Sequence, residues 1–110
     1  MTDRELLEAA ARAAGIDRFS FDGHDDYIVD PSYIDADGFP VVWDPLTDDA
    51  DAFRLAVKLR INVQFQGSSE STLRVIAGDT RAWAKFYDGD IASATRRAIV
   101  RAAAQIGGKQ

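Results

Sequence analysis

Residues 43–65 read WDPLTDDADAFRLAVKLRINVQF, and this stretch decides the fold of the chain. After a strand that ends at Trp43, Thr47 or Asp48 caps a helix, because side-chain oxygens at that position accept hydrogen bonds from the first free N–H groups. Apolar residues then recur every three or four positions and predict a buried stripe of Ala52, Leu55, Ala56 and Leu59, widened by Phe53 and Val57. Beyond this helix, apolar and polar residues alternate up to Phe65, which predicts a half-buried strand.

The sequence on either side of this stretch predicts the remaining elements. Thr2 and Glu5 have the spacing of a capping box at the start of an N-terminal helix, and Gly15 ends that helix. A last helix begins after Asp90 as its N-cap and stops at Gly107-Gly108. Short strands are predicted at 27–29, 39–43, 61–66, 72–77 and 83–87.

The predicted order of elements is α-β-β-α-β-β-β-α, which indicates an α+β fold. It has a small, mostly antiparallel sheet flanked by three helices. Three helices would crowd one face of so small a sheet, so we expect helices on both faces, as a three-layer α/β/α sandwich. With 110 residues the chain is expected to form one domain spanning 1–110.

Composition excludes several kinds of site. The chain has no cysteine, which excludes disulfides, thiolate metal ligands and a cysteine nucleophile. Its one histidine, His24, has no second imidazole to complete a metal site or an acid–base pair. No apolar run is long enough to span a bilayer, and the first residues lack the features of a signal peptide. A cytoplasmic protein that does not contact a membrane is expected.

Charge is distributed unevenly along the chain. Residues 19–53 contain ten aspartates and no Lys or Arg, whereas residues 54–110 contain ten basic and four acidic residues. The candidate acidic binding surface comprises Asp22, Asp25, Asp26, Asp30, Asp35 and Asp37. The candidate basic surface faces outward from the last helix and comprises Arg96, Arg97 and Arg101. The two halves could pair in a homodimer, but a net charge of −5 argues against direct nucleic-acid binding.

Two aspartate clusters contain the carboxylates that Mg²⁺ and Ca²⁺ prefer, but each has a structural explanation. Asp48, Asp49 and Asp51 lie where carboxylates cap a helix and complement its dipole. Asp35 and Asp37 precede a glycine in the pattern of a hairpin turn, without the bidentate glutamate of a calcium loop. We therefore predict no metal and no cofactor.

The central stretch resembles the phage ABA sandwich family, small proteins of tailed phages and prophages. The family segment reads WNPLxDDGDALRLAVKL, and the matching residues are Trp43, Pro45, Leu46, Asp48, Asp49, Asp51, Ala52, Arg54, Leu55, Ala56, Val57, Lys58 and Leu59. Residues 5–10, 94–104 and 106–107 are also similar to the family. Asp44, Ala50 and Phe53 depart from the family's Asn, Gly and Leu. The resemblance implies an α/β/α layered fold, and it implies no catalytic residue because the family has no established activity.

The expected function is that of a non-enzymatic phage or prophage accessory protein that binds a host or phage protein in the bacterial cytoplasm. Its narrowest form is an inhibitor of a bacterial defence system that acts through the acidic surface, as an anti-CRISPR protein does. One alternative is a structural protein of the virion or of DNA packaging that binds nucleic acid through the last helix. A metal-dependent hydrolase that uses the aspartate clusters is a further, less favoured alternative.

Overall fold

The computed structural model describes residues 2–16, 19–20, 31–66, 74–77, 82–85 and 91–108. Its helices are α1 (Asp3–Ala13), α2 (Asp49–Leu59) and α3 (Ile91–Gly107). Its strands are β1 (Ser32–Ile34), β2 (Pro40–Val42), β3 (Val63–Gln66), β4 (Arg74–Ala77) and β5 (Ala82–Lys85). β1 and β2 form one antiparallel hairpin, and β3, β4 and β5 form a separate antiparallel sheet with β4 in the middle. The α+β class is confirmed, with the strands divided between two sheets.

The ends of α1 follow its sequence signals. The Thr2 hydroxyl accepts a hydrogen bond from the N–H of Glu5 at 3.1 Å, and the Glu5 carboxylate accepts one from the N–H of Thr2 at 3.1 Å. At the other end Gly15 has a φ of 73°, a left-handed conformation that glycine adopts without the steric cost of a Cβ. The predicted capping box and helix end are both confirmed.

The first hairpin is fixed by its turn. The Asp35 carboxylate accepts hydrogen bonds from the N–H groups of Asp37 and Phe39, both at 2.9 Å, and Gly38 has a φ of 88°. A turn held in this way pairs β2 with the residues directly before the turn, which are those of β1. The sequence did not predict β1, and the strand predicted at 27–29 lies outside the described residues.

Helix α3 connects the layers of the fold. It packs on β4 and β5, and both α1 and α2 pack on α3. Its buried residues include two runs of three adjacent positions and so extend beyond a single stripe: Ala98, Ile99, Val100, Ala102, Ala103, Ala104 and Gly107. A helix that is contacted on several sides has to be apolar on more than one face. The layers therefore meet through α3, whereas the sequence suggested one sheet with helices on both faces.

The contact between α1 and α3 is close because its residues are small. A Cβ built on Gly107 would lie 1.9 Å from the carbonyl oxygen of Ala9, a separation that no side chain allows. The N–H of Gly108 closes the last turn by donating to the carbonyl of Ala104 at 2.8 Å. The glycine pair marks the end of α3 as predicted, but Gly107 is itself helical and is required by packing.

Candidate functional site

The aspartates at the start of α2 bind the backbone and a neighbouring arginine. Asp48 caps the helix by accepting a hydrogen bond from the N–H of Asp51 at 2.8 Å. The Asp51 side chain is nearly buried; one of its oxygens accepts from the N–H of Asp44 at 2.9 Å and the other from Arg54 at 2.8 Å. In the part of the chain that the structure describes, no group of three or more His, Cys, Asp or Glu residues is placed to hold a metal ion.

Two arginines of α3 hold the helices together. The Nε of Arg96 donates to the carbonyl of Leu46 at 2.9 Å, and its guanidinium forms an ion pair with Asp49. Only 17% of the Arg96 side chain is exposed, so the prediction that it faces outward on a basic surface is wrong. Its long side chain reaches from α3 across to the start of α2 and is covered there. Arg97 instead reaches α1, where it donates to both oxygens of Asp3 at 2.9 and 3.2 Å.

The Arg97–Asp3 pair is ionised at neutral pH. The hydrogen bond from Arg97 is the main cause that lowers the pKa of the Asp3 carboxyl below its usual value, against a smaller opposing effect of burial. The same hydrogen bond raises the pKa of Arg97. Arg101, the third residue of the predicted basic surface, is exposed. The last helix therefore uses two of its three candidate arginines to bind α1 and α2.

The candidate acidic surface is only partly described. Asp22, Asp25, Asp26 and Asp30 lie outside the described residues, as does His24. Of the other two, Asp35 uses its carboxylate to hold the hairpin turn, and Asp37 is exposed on the same turn. The prediction that Asp35 and Asp37 form a hairpin turn is confirmed, and the acidic surface itself stays a prediction.

An apolar groove lies between α2, α3 and β3. Its volume is about 870 Å³, and it is lined by residues of these three elements and by the segment that joins α2 to β3. Three large apolar side chains on the groove are exposed: Phe53 by 68%, Val57 by 59% and Phe65 by 58%. The prediction that Phe53 and Val57 widen the buried stripe is therefore wrong. The sequence did contain an indication of this exposure, because the apolar arc on α2 is wider than one packing face of a helix.

One ridge of α2 forms a wall of the groove. Asp49, Phe53 and Val57 are each four positions apart on α2 and follow one line of its surface, and Arg60, directly after the helix, also lines the groove. Asp49 begins the ridge, and its side chain is 77% exposed although it pairs with Arg96. Arg60 ends it with a φ of 56° and, among the described residues, makes no ion pair.

The groove presents an apolar floor, with the Asp49–Arg96 ion pair at one end of the ridge and Arg60 at the other. Such a surface can receive apolar side chains of another protein, and the charged ends can set the orientation of that protein. No described helix is both long enough and apolar enough to cross a membrane. No family model, curated protein or solved structure matches this chain.

Proposed function

We propose that the chain is a non-enzymatic protein-binding domain and that the groove between α2, α3 and β3 is its binding surface. The observation that carries this proposal is the exposure of Phe53, Val57 and Phe65 on one groove. Burial of such a side chain is worth about 1.5–3 kcal/mol, which this surface does not gain while it faces water. Large apolar residues that cluster on a surface, bordered by polar ones, are typical of sites that bind other proteins.

The composition of the groove favours a protein over a small polar ligand. Most of the side chains that line it are apolar, and its charged residues are Asp49, Arg60 and Arg96. Asp49 and Arg96 already bind each other at one end. A protein partner can bury the apolar floor and still keep its own charged groups at the polar rim. The groove therefore matches the usual anatomy of a protein interface, with an apolar centre and a charged edge.

The uneven charge of the chain supports a narrower form of this function. The aspartates of residues 19–53 would attract a basic partner and speed its approach. Together with the resemblance to the phage ABA sandwich family, this supports an accessory protein that acts on a host or phage protein in the bacterial cytoplasm. Inhibition of a bacterial defence system through the acidic surface is the most specific version of the proposal.

Site-specific photo-crosslinking tests whether the groove binds protein. A photoreactive phenylalanine would replace Phe53 in the full chain, expressed in a bacterial host. The matched control is the same substitution at Phe39, which is 66% exposed on the first hairpin, away from the groove. We expect a discrete adduct from position 53 that Val57→Glu removes, and no such adduct from position 39.

Two results of this experiment would contradict the proposal. One is the absence of any adduct from position 53. The other is an adduct that Val57→Glu leaves unchanged, since Val57 lies on the same ridge of the groove. Mass spectrometry of the adduct would identify its partner. A virion or packaging protein in that adduct would favour the structural alternative over inhibition of host defence.

A further inference from the structure

The ridge of α2 is complementary to itself when its direction is reversed. Along the groove it presents an acid, two large apolar residues and a base, in the order Asp49, Phe53, Val57 and Arg60. Read from the other end, the order is base, apolar, apolar, acid. Two copies of such a ridge can therefore lie antiparallel with every position facing a suitable partner.

We propose that the groove binds a second copy of this chain through a two-fold axis that crosses the middle of α2. This inference rests on the proposed function, and it names the partner of that same surface. In a two-fold interface the same patch of both copies is used, so each contact occurs twice. Asp49 of one copy lies beside Arg60 of the partner subunit, and Phe53 lies beside Val57 of the partner subunit.

The charges at the ends of the ridge support this pairing. Asp49 and Arg60 are about 16 Å apart along α2, at a rise of about 1.5 Å per residue. Asp49 is mostly exposed, and its pair with Arg96 uses one of its two carboxylate oxygens. The other oxygen can accept from a guanidinium of the second copy. Antiparallel α2 helices also bring the positive end of one helix dipole near the negative end of the other.

The backbone of Arg60 is a second, independent observation. Its φ of 56° is left-handed, which favours glycine at the position directly after a helix. The chain nevertheless has an arginine there, on the groove and without an ion pair among the described residues. A strained position that keeps a charged side chain indicates a role for that side chain. In the proposed dimer Arg60 binds the exposed carboxylate of the second copy.

The apolar contacts provide the attraction, and their extent indicates how strong it is. Fifteen residues line the groove, fewer than the roughly 20–30 residues per side of a standard stable interface. The surface needed for a stable dimer, about 800 Å² per copy, is roughly a ninth of the 6946 Å² of the chain. We therefore expect a weak dimer that forms only at high protein concentration.

Sedimentation velocity on the full chain, from about 1 to 500 µM at low salt, tests the inference. We expect wild type to change from monomer to dimer across this range and Phe53→Glu to stay monomeric throughout. Circular dichroism would show that the variant is folded, as expected for a residue that is already exposed. Arg60→Glu gives each copy two acidic ends, so we expect its dissociation constant to rise about tenfold or more.

A mixing experiment tests the two-fold geometry itself. Asp49→Lys gives each copy two basic ends, so this variant should also dimerise poorly alone. Because it removes the ion pair with Arg96, circular dichroism must show that it is folded before it is mixed. An equimolar mixture of Arg60→Glu and Asp49→Lys should form a heterodimer, because both end contacts then join opposite charges. The matched control is Lys58→Glu, a reversal of charge on an exposed position of α2 that does not line the groove. It should change the dissociation constant by less than about threefold.

Three results would overturn the inference. The first is a wild-type chain that stays monomeric at 500 µM, the second is a dimer that survives Phe53→Glu, and the third is a mixture that fails to form the heterodimer. In the first case an adduct with another protein from position 53 would leave the proposed function standing. The absence of both dimer and adduct would remove the proposed function as well.

Discussion

The carbonyl oxygen of Ala9 in α1 approaches the Cα of Gly107 in α3 so closely that a methyl group would not fit between them. Contacts of this kind allow two helices to approach more closely than larger side chains permit. Both helices also contribute buried alanines to the core: Ala9, Ala10 and Ala11 from α1, and Ala102, Ala103 and Ala104 from α3. Gly107 therefore permits the close approach of α1 to α3, and α3 in turn packs on α2 and the sheet.

We expect Gly107→Ala to lower the free energy of unfolding by about 1–3 kcal/mol, because the new Cβ would meet backbone that cannot rotate away. Alanine is the better helix former, so the loss would arise from packing alone. Gly108→Ala is the control, since the nearest atom to its Cβ is the carbonyl of Ala104 at 3.2 Å. Urea denaturation measures both. Equal stability of the two variants would mean that α1 and α3 are not in close contact.

At Arg60, in contrast to Gly107, removing the Cβ should stabilise the fold. We expect Arg60→Gly to raise the free energy of unfolding by about 1 kcal/mol, because glycine relieves the strain of a left-handed φ. Arg60→Ala removes the same charge but keeps a Cβ, so it should gain less. Thermal and urea denaturation of the three proteins would show this order. If the glycine variant were the least stable, the side chain of Arg60 would have a structural role.

At the scale of elements, α2 is fixed at its start by its acidic residues. Asp48 caps it, Asp49 connects it to α3 through Arg96, and Asp51 holds the N–H of Asp44 in the turn that leads into it. The three carboxylates share no partner, and Asp51 has two, the N–H of Asp44 and Arg54. The sequence correctly assigned this cluster to the helix start, but only the folded chain shows that Asp51 is buried.

We expect Asp51→Ala to lower the free energy of unfolding by about 1–3 kcal/mol, because it leaves the N–H of Asp44 without its acceptor. Asp51→Asn keeps an oxygen that can accept this hydrogen bond, so its free energy of unfolding should fall by less. Asp48→Ala should cost about 1 kcal/mol, the usual value of a helix cap. Chemical denaturation compares the three variants. Equal losses for the alanine and asparagine variants at Asp51 would show that the bond to Asp44 is unimportant.

The contact between α1 and α3 should depend on pH through Asp3. Its pKa is lowered in the folded chain, so the ion pair with Arg97 stabilises the fold above the unfolded value near 3.8 and is lost as pH falls through the lower folded value. Asp3 is more than half exposed, so the effect should stay below about 1 kcal/mol. Asp3→Asn should be less stable than wild type at pH 6 and equally stable at pH 2. A constant difference across this range would contradict the assignment.

At the scale of the whole molecule, the chain separates its acidic and basic residues along its length. On the basic side, Arg96 and Arg97 form ion pairs with Asp49 and Asp3, which lie in the front half of the sequence. Opposite charges from the two halves therefore meet within one copy. The aspartates at 22–30 lie outside the described residues and remain the predicted contacts for a basic partner.

We expect the triple variant Asp25→Lys, Asp26→Lys and Asp30→Lys to lose affinity for a basic partner identified by crosslinking, because attraction becomes repulsion. The corresponding triple asparagine variant removes the charge without reversing it and should show an intermediate loss. Binding would be measured by calorimetry at two salt concentrations, with circular dichroism as the check on folding. Unchanged affinity in the lysine variant would exclude the acidic residues as the contact.

Local chemistry was predictable from the sequence, since caps, turns and helix ends depend on residues close together in the chain. The capping box of Thr2 and Glu5, the turn at Gly38 and the cap of α2 all follow from such short-range hydrogen bonds. The position of β1 was missed because a strand of three residues has too short a pattern to recognise. The turn after β1, which Asp35 and Gly38 hold, determines which residues pair with β2.

The class of the fold, the three helices and the antiparallel hairpin of β3 and β4 could all be predicted from the sequence. This is because periodicity and capping are properties of neighbouring residues. Which of these apolar residues are buried depends on the packed fold, which covers Leu55 and Ala56 but leaves Phe53 and Val57 exposed. Burial depends on what packs against a side chain, and that partner lies far away in the sequence. The groove, and every function proposed for it, follows from this packing.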